Sequence, residues 1–226
     1  DAENYSDTIG ELLQKAKDLK KKGNFVESKN CWKKLVEKSP GEDYFIQQLA
    51  LATYKSKVPN ETRALMEALK IIQQLPLKKT LDTETLGIAG AIYKRLYRVN
   101  KNPDYLEDAI NIYRKGYIVK QDYYNGENYA NCLLLQLLHI TDKEQIKYNQ
   151  FEANKVYREL IDLITENADE DDYWKYATLA VAYYYLECET LYKQYLDVFK
   201  SKSVSWEQAS LQETIDEIEK IRQHLI

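Results

Sequence analysis

Between residues 16 and 40 the chain sets Ala16, Leu19, Gly23, Phe25, Ser28, Trp32 and Pro40 at spacings suited to two antiparallel helices in close contact. Small side chains let the helix backbones approach, and the aromatics wedge between neighbouring pairs. Pro40 ends the second helix, because it lacks an N–H and its ring clashes with the preceding turn. Such a pair cannot bury its apolar face alone, so it predicts a stack of similar pairs. Composition agrees: 7 Gly and 4 Pro in 226 residues leave little material for strands and tight turns, and 44% hydrophobic residues can fill a large core. Pro40, Pro59, Pro76 and Pro103 all fall at the edges of apolar periodic segments, as helix punctuation does.

The order small, bulky, Gly, aromatic, small, aromatic, Pro over about 34 residues is that of a tetratricopeptide (TPR) unit. Apolar spacing of three and four residues predicts further helix pairs, at roughly 4–40, 42–76, 82–120, 123–167 and 171–202, with a capping helix over 205–226. Ala-x-Tyr-Lys occurs at Ala52–Lys55 and again at Ala91–Lys94, and Ala109, Tyr113 and Gly116 repeat the spacing of Ser28, Trp32 and Leu35. Lys17, Lys20, Lys21 and Lys22 sit towards a helix end, where they complement its negative pole. The acidic run Asp169–Asp172 reads as a cap for the following helix, since it lacks the alternating ligands and Gly of a calcium loop. The expected fold is one all-α domain, a right-handed TPR-like α-solenoid of about five helix pairs plus a C-terminal capping helix.

The strings Leu49–Lys55, Glu84–Gly87, Ile92–Arg95, Ile110–Tyr117 and Asp122–Gly126 resemble the TPR-type TRAFs-binding domain. That domain is found in apoptosis signal-regulating MAP kinase kinase kinases and in bacterial proteins with TIR or other effector domains. The resemblance runs roughly from Tyr44 to Trp174. It implies a regulatory or scaffolding role without catalysis, within a larger signalling or defence protein, and the Lys- and Tyr-rich composition looks bacterial. Glu127 departs from the apolar residue that family members carry after Asn-Gly, and binding to TRAF proteins is not carried over.

Chemistry is sparse. His139 and His224 lie on distant segments with no Cys or carboxylate at ligand spacing, and there is no phosphate loop, nucleophile elbow or His-Glu-x-x-His. No catalytic group, metal or cofactor is therefore expected. A net charge of −4 with both signs interspersed gives no broad attraction to nucleic acid or to an anionic membrane. The longest apolar stretch, Cys132–Ile140, falls short of the roughly 20 residues of a membrane span. Cys31, Cys132 and Cys188 are widely spaced and odd in number, which suits reduced thiols and a cytoplasmic location, and no signal peptide is visible.

What remains is recognition. The first helix of each pair lines the concave face of a helical-repeat stack. The register places Gln48, Ala52, Lys55, Glu84, Gly87, Ala91, Lys94, Arg95, Tyr124, Glu127, Asn131 and Leu134 there, with Arg98 beside Lys94 and Arg95. Guanidinium groups grip carboxylates and phosphates bidentately, so the basic strip predicts a partner segment of acidic character. That partner is a protein or peptide, or an effector domain of the same polypeptide. Pairing with Glu84 or Glu127 is the competing expectation. A different reading makes Lys94, Arg95 and Tyr124 the grip for a nucleotide or small anion in a ligand-sensing domain. Tyr183, Tyr184 and Tyr185 cannot all face one core, since successive helical residues point about 100° apart.

Overall fold

The computed structural model describes residues 7–166 and 172–225. Its described residues form eleven helices and no strand: α1 (Ile9–Lys21), α2 (Phe25–Lys38), α3 (Asp43–Ser56), α4 (Glu61–Ile72), α5 (Thr83–Asn100), α6 (Pro103–Lys120), α7 (Tyr123–Gln136), α8 (Lys143–Glu166), α9 (Trp174–Tyr185), α10 (Glu189–Lys202) and α11 (Ser205–Leu225). Of the acidic run read as a cap, residues 169–171 lie outside the described residues. Asp172 accepts from the Trp174 amide at 3.1 Å.

Side-chain oxygens start most of these helices by taking the first free amides. Thr8 and Glu11 form a reciprocal capping box on α1, and Asn24, Asn60, Asp82, Asn102 and Asp122 cap α2, α4, α5, α6 and α7. In a glycine-poor chain, three helices end on a non-glycine residue in the left-handed region: Lys57 (φ 55°), Lys101 (φ 59°) and Gln121 (φ 50°). α7 ends at Gln136, beyond which the amides of Leu137, Leu138 and His139 donate to the carbonyls of Leu134, Leu135 and Gln136 in tighter i−3 bonds.

From α1 to α10 each helix packs on the next, so each second helix also packs on the first helix of the following pair. From α3 through α9, each first helix touches the first helix of the next pair, so α3, α5, α7 and α9 make a continuous inner layer. Close approach depends on small residues: Ser28 donates its hydroxyl to the Ala16 carbonyl at 2.9 Å, tying α2 to α1. Gly90 lets the Tyr113 ring lie flat on α5, for a Cβ there would come within 2.7 Å of the ring. Replacing Gly90 by alanine forces that buried ring to shift and should cost about 1 to 3 kcal/mol in chemical denaturation.

Trp32 and Tyr113 are fully buried, whereas Tyr93 of the second Ala-x-Tyr-Lys is half-buried against Tyr105 and Gln73. All three adjacent tyrosines find partners: Tyr183 stacks on Tyr195, while Tyr184 and Tyr185 lie tilted against Tyr192 and Tyr157. Cys31 and Cys132 are buried, Cys188 is half-buried, and none is in a disulfide.

The closing helix α11 covers the inner face. It packs on α7 and α9, and Leu211, Ile215, Ile218 and Ile221 enter the same core as Leu133, Val156 and Val181. At one end Trp206 meets Phe25 of α2 edge-on at 5.3 Å, and at the other Arg222 donates to the carbonyl oxygens of Tyr184 and Tyr185. The helix thus crosses the array from its first pair to its last. None of the described helices is long and apolar enough to cross a membrane.

Candidate functional site

α11 meets the basic strip of α5 with two carboxylates one turn apart. Arg98 donates from Nε to Glu217 at 2.6 Å and from Nη1 to Glu213 at 2.8 Å, and Arg95 lies 3.9 Å from Glu213. Lys94 is 2% exposed; its ammonium lies 3.4 Å from Glu217 and donates to Asn128 of α7 at 3.3 Å. Burial alone raises the Glu217 carboxyl, but Lys94 and Arg98 outweigh it and hold the group down at about 2. Neither of the acids expected to pair with the strip does so: Glu127 accepts from the Thr178 hydroxyl of α9, and Glu84 accepts from Gln48 at 3.3 Å.

Beneath the first turns of α11 lies a cavity of about 610 Å³. Its lining mixes three cations, Lys20 of α1, Lys55 of α3 and Arg95 of α5, with four acids, Glu84, Asp122, Asp172 and Glu207, and its flat walls include Tyr54, Tyr124, Trp174 and Trp206. Lys20 is held by a 3.0 Å hydrogen bond to Gln48, so this lysine does more than complement its helix end. Lys55 differs from the other two. Among the described residues it has neither a hydrogen bond nor a carboxylate within ion-pair distance, and its ammonium sits 4.9 Å from the centroid of the Trp206 ring. Burial first, and the neighbouring Arg95 second, bring its pKa down to about 7. The Trp206 indole N–H is buried without a hydrogen-bond partner at the same wall. A desolvated lysine, a guanidinium and an unpaired donor among aromatic faces can receive an anionic group attached to a flat ring.

Of the residues that the register assigned to the concave face, Lys55, Glu84, Gly87, Arg95 and Tyr124 line this cavity. Gln48, Ala91, Lys94, Glu127 and Asn131 are buried instead, at 3%, 1%, 2%, 9% and 0% exposure. An open groove would leave them accessible; the packing of α9 and α11 over α5 and α7 does not. Asn131, one turn beyond Glu127 and Asn128, keeps both amide atoms without a partner. Sequence reasoning missed Glu213, Glu217, Trp174 and Trp206. The available signal was the pair Glu213-x-x-x-Glu217 flanking the apolar stripe of the last helix. No group of three or more metal-ligating side chains occurs among the described residues.

Residues 24–135 match the model of the family described as Tetratricopeptide Repeats-Sensor. No curated protein matches the chain in sequence. Among solved structures, a thermophilic TPR protein from Thermus thermophilus superposes with a TM-score of 0.62 at 12% identity, over 93% of this chain and 98% of that one. A Bacteroides ovatus protein covers 97% of this chain and 100% of its own at 14% identity, but its TM-score of 0.33 carries no argument. TPR-type folds generally mediate protein–protein contacts and are typically without catalysis. The chain is a TPR-type domain with the fold of a TPR-like α-solenoid, and its residues 24–135 are similar to the Tetratricopeptide Repeats-Sensor family.

Proposed function

We propose that the chain is a non-catalytic regulatory module that senses a small anionic ligand, a nucleotide being the larger candidate, in the cavity roofed by α11. Lys55 is the observation that carries this reading. Its half-buried amine has no carboxylate in ion-pair contact, and an anion that reached it would restore its charge and meet Arg95 and Lys20 in the same cavity. The described resemblance of residues 24–135 to a sensor family supports the reading. The resemblance to TRAFs-binding-like regions supports a place beside an effector in a signalling or defence protein, at a cytoplasmic address.

The test is calorimetric titration of the chain with ADP and with inorganic pyrophosphate. Lys55→Met should weaken binding at least tenfold while leaving the helical signal unchanged. The pH dependence has a definite sign. An anion raises the Lys55 pKa above its free value of about 7, so binding takes up a proton and affinity falls as pH rises above 7. The decline should approach tenfold per pH unit and be absent in Lys55→Met. If neither probe produces saturable heat or a rise in melting temperature, the cavity is not an anion site and the reading fails.

The interaction-scaffold reading, with a partner segment on the concave face, draws on a separate observation. Lys94, Arg95 and Arg98 of the basic strip pair with Glu213 and Glu217 of the chain's own α11, which supports an acidic segment as the kind of partner this face would take.

A further inference from the structure

Three features set α11 apart from the ten helices before it. First, its main contacts are with α7 and α9, two inner-layer helices, rather than with the α10 that precedes it, so it stands outside the alternation that builds the array. Second, spaces flank it along its length: the cavity of about 610 Å³ at Trp206, Glu207 and Ser210, one of about 220 Å³ at Glu213 and Glu217, and one of about 350 Å³ at Ile218, Ile221 and Arg222. A helix integral to a core is close-packed along its buried face. Third, the Trp206 indole N–H is buried without a hydrogen bond, and the Glu217 oxygen that faces Lys94 has only that 3.4 Å ion pair. Its apolar residues, Leu211, Ile215, Ile218 and Ile221, follow the spacing by which an amphipathic helix lies in a groove. Its acids meet a cluster of cations drawn from one turn of α5.

We infer that the inner face of α5, α7 and α9 is a docking groove for an acidic amphipathic helix of a partner protein, and that α11 occupies it as a built-in competitor. The partner's chemistry can be read from α11: two carboxylates four residues apart to meet Arg98 and Lys94, and large aliphatic side chains at i, i+4, i+7 and i+10 to fill the recess now holding Leu211, Ile215, Ile218 and Ile221. Charge complementarity selects this occupant over a basic or neutral helix, because Lys94 is 2% exposed and a non-acidic occupant would leave it buried beside Arg98 without its ion-pair contact, Glu127 acting on it only from further off. This proposal stands apart from the anion cavity and does not need it.

The experiment uses the whole chain and a fluorescent peptide of residues 203–226 as the probe. Reversing the acids in the chain, Glu213→Lys with Glu217→Lys, sets like charges against Arg98 and Lys94 and should free α11. The peptide should then bind the variant at least tenfold more tightly than it binds the unmodified chain, and more weakly as salt rises. A peptide carrying the same two reversals should not bind. Amide exchange should quicken across 205–225 and stay slow across α1 to α8. The milder Glu213→Gln with Glu217→Gln should move both readouts the same way by a smaller amount. Adding Arg98→Glu to the reversed pair should restore protection of α11.

Equal binding of both peptides, or no gain in either variant, would overturn the proposal. So would lost protection across α1 to α8 in both, since α11 would then be core. Dimers of the unmodified chain exchanging α11 between copies would overturn it as well, by making the occupant a second copy.

Discussion

Trp32→Ala and Tyr113→Ala should each lower stability by about 3 to 5 kcal/mol, among the largest losses any single substitution in this chain can produce. Both side chains are fully buried. Trp32 closes the first pair onto the second, with the rings of Tyr44 at 5.7 Å and Phe45 at 6.0 Å. Tyr113 fills the space that Gly90 leaves on α5 and meets Tyr124 of the next pair at 6.3 Å. Each therefore joins two neighbouring units, and in a stacked array the loss spreads through the interface. Urea denaturation followed by circular dichroism measures it. Phe151→Ala is the contrast: that ring is 68% exposed on α8, and its loss should stay within about 0.5 kcal/mol. If Trp32→Ala and Phe151→Ala proved equally mild, the small-and-aromatic register would have no energetic content.

That register was legible because helix pairing imposes a local rule. Ser28, Trp32 and Leu35 on α2 and Ala109, Tyr113 and Gly116 on α6 are buried at equivalent positions, and equal spacing predicted equal burial. Tyr93 shows the limit: it repeats Tyr54 in Ala-x-Tyr-Lys and Tyr54 is buried, but Tyr93 lies half-buried beside Gln73 and Tyr105. The basic strip was legible in part. Periodicity placed Lys94, Arg95 and Arg98 together on one helix face, yet their partners Glu217 and Glu213 stand 119 and 115 residues from Arg98. Nothing in local spacing reports a contact made by a helix returning across the array. The same return turns an expected open groove into a roofed cavity, so half of the proposed contact residues became interior.

Glu217→Leu should be as costly as the aromatic truncations, about 3 to 5 kcal/mol, because removing one member of a buried charge cluster strands the other. Lys94 would remain inside with its Asn128 hydrogen bond and the more distant Glu127 carboxylate but no ion-pair contact, and Arg98 would keep Glu213. Lys94→Met alone should cost less, since Arg98 still faces Glu217 at 2.6 Å. The double substitution should recover much of the loss of Glu217→Leu, as an apolar pair of similar volume carries no desolvation penalty. pH separates charge from packing. In the unmodified chain Glu217 has its pKa lowered to about 2, so its contribution is complete above the ordinary carboxylate range near 4.5 and is lost as pH falls towards 2. In Glu217→Leu that acid limb should vanish and a basic one appear, because burial lowers the Lys94 pKa and Glu217 no longer opposes it. The unfolded chain then binds the proton more readily than the folded one, and stability should rise with pH until Lys94 is neutral in both states. Stability curves from pH 2 to 10, read by thermal melting and by amide exchange over α11, measure both limbs. If the variant kept the acid limb, some other carboxylate would hold α11 in its groove.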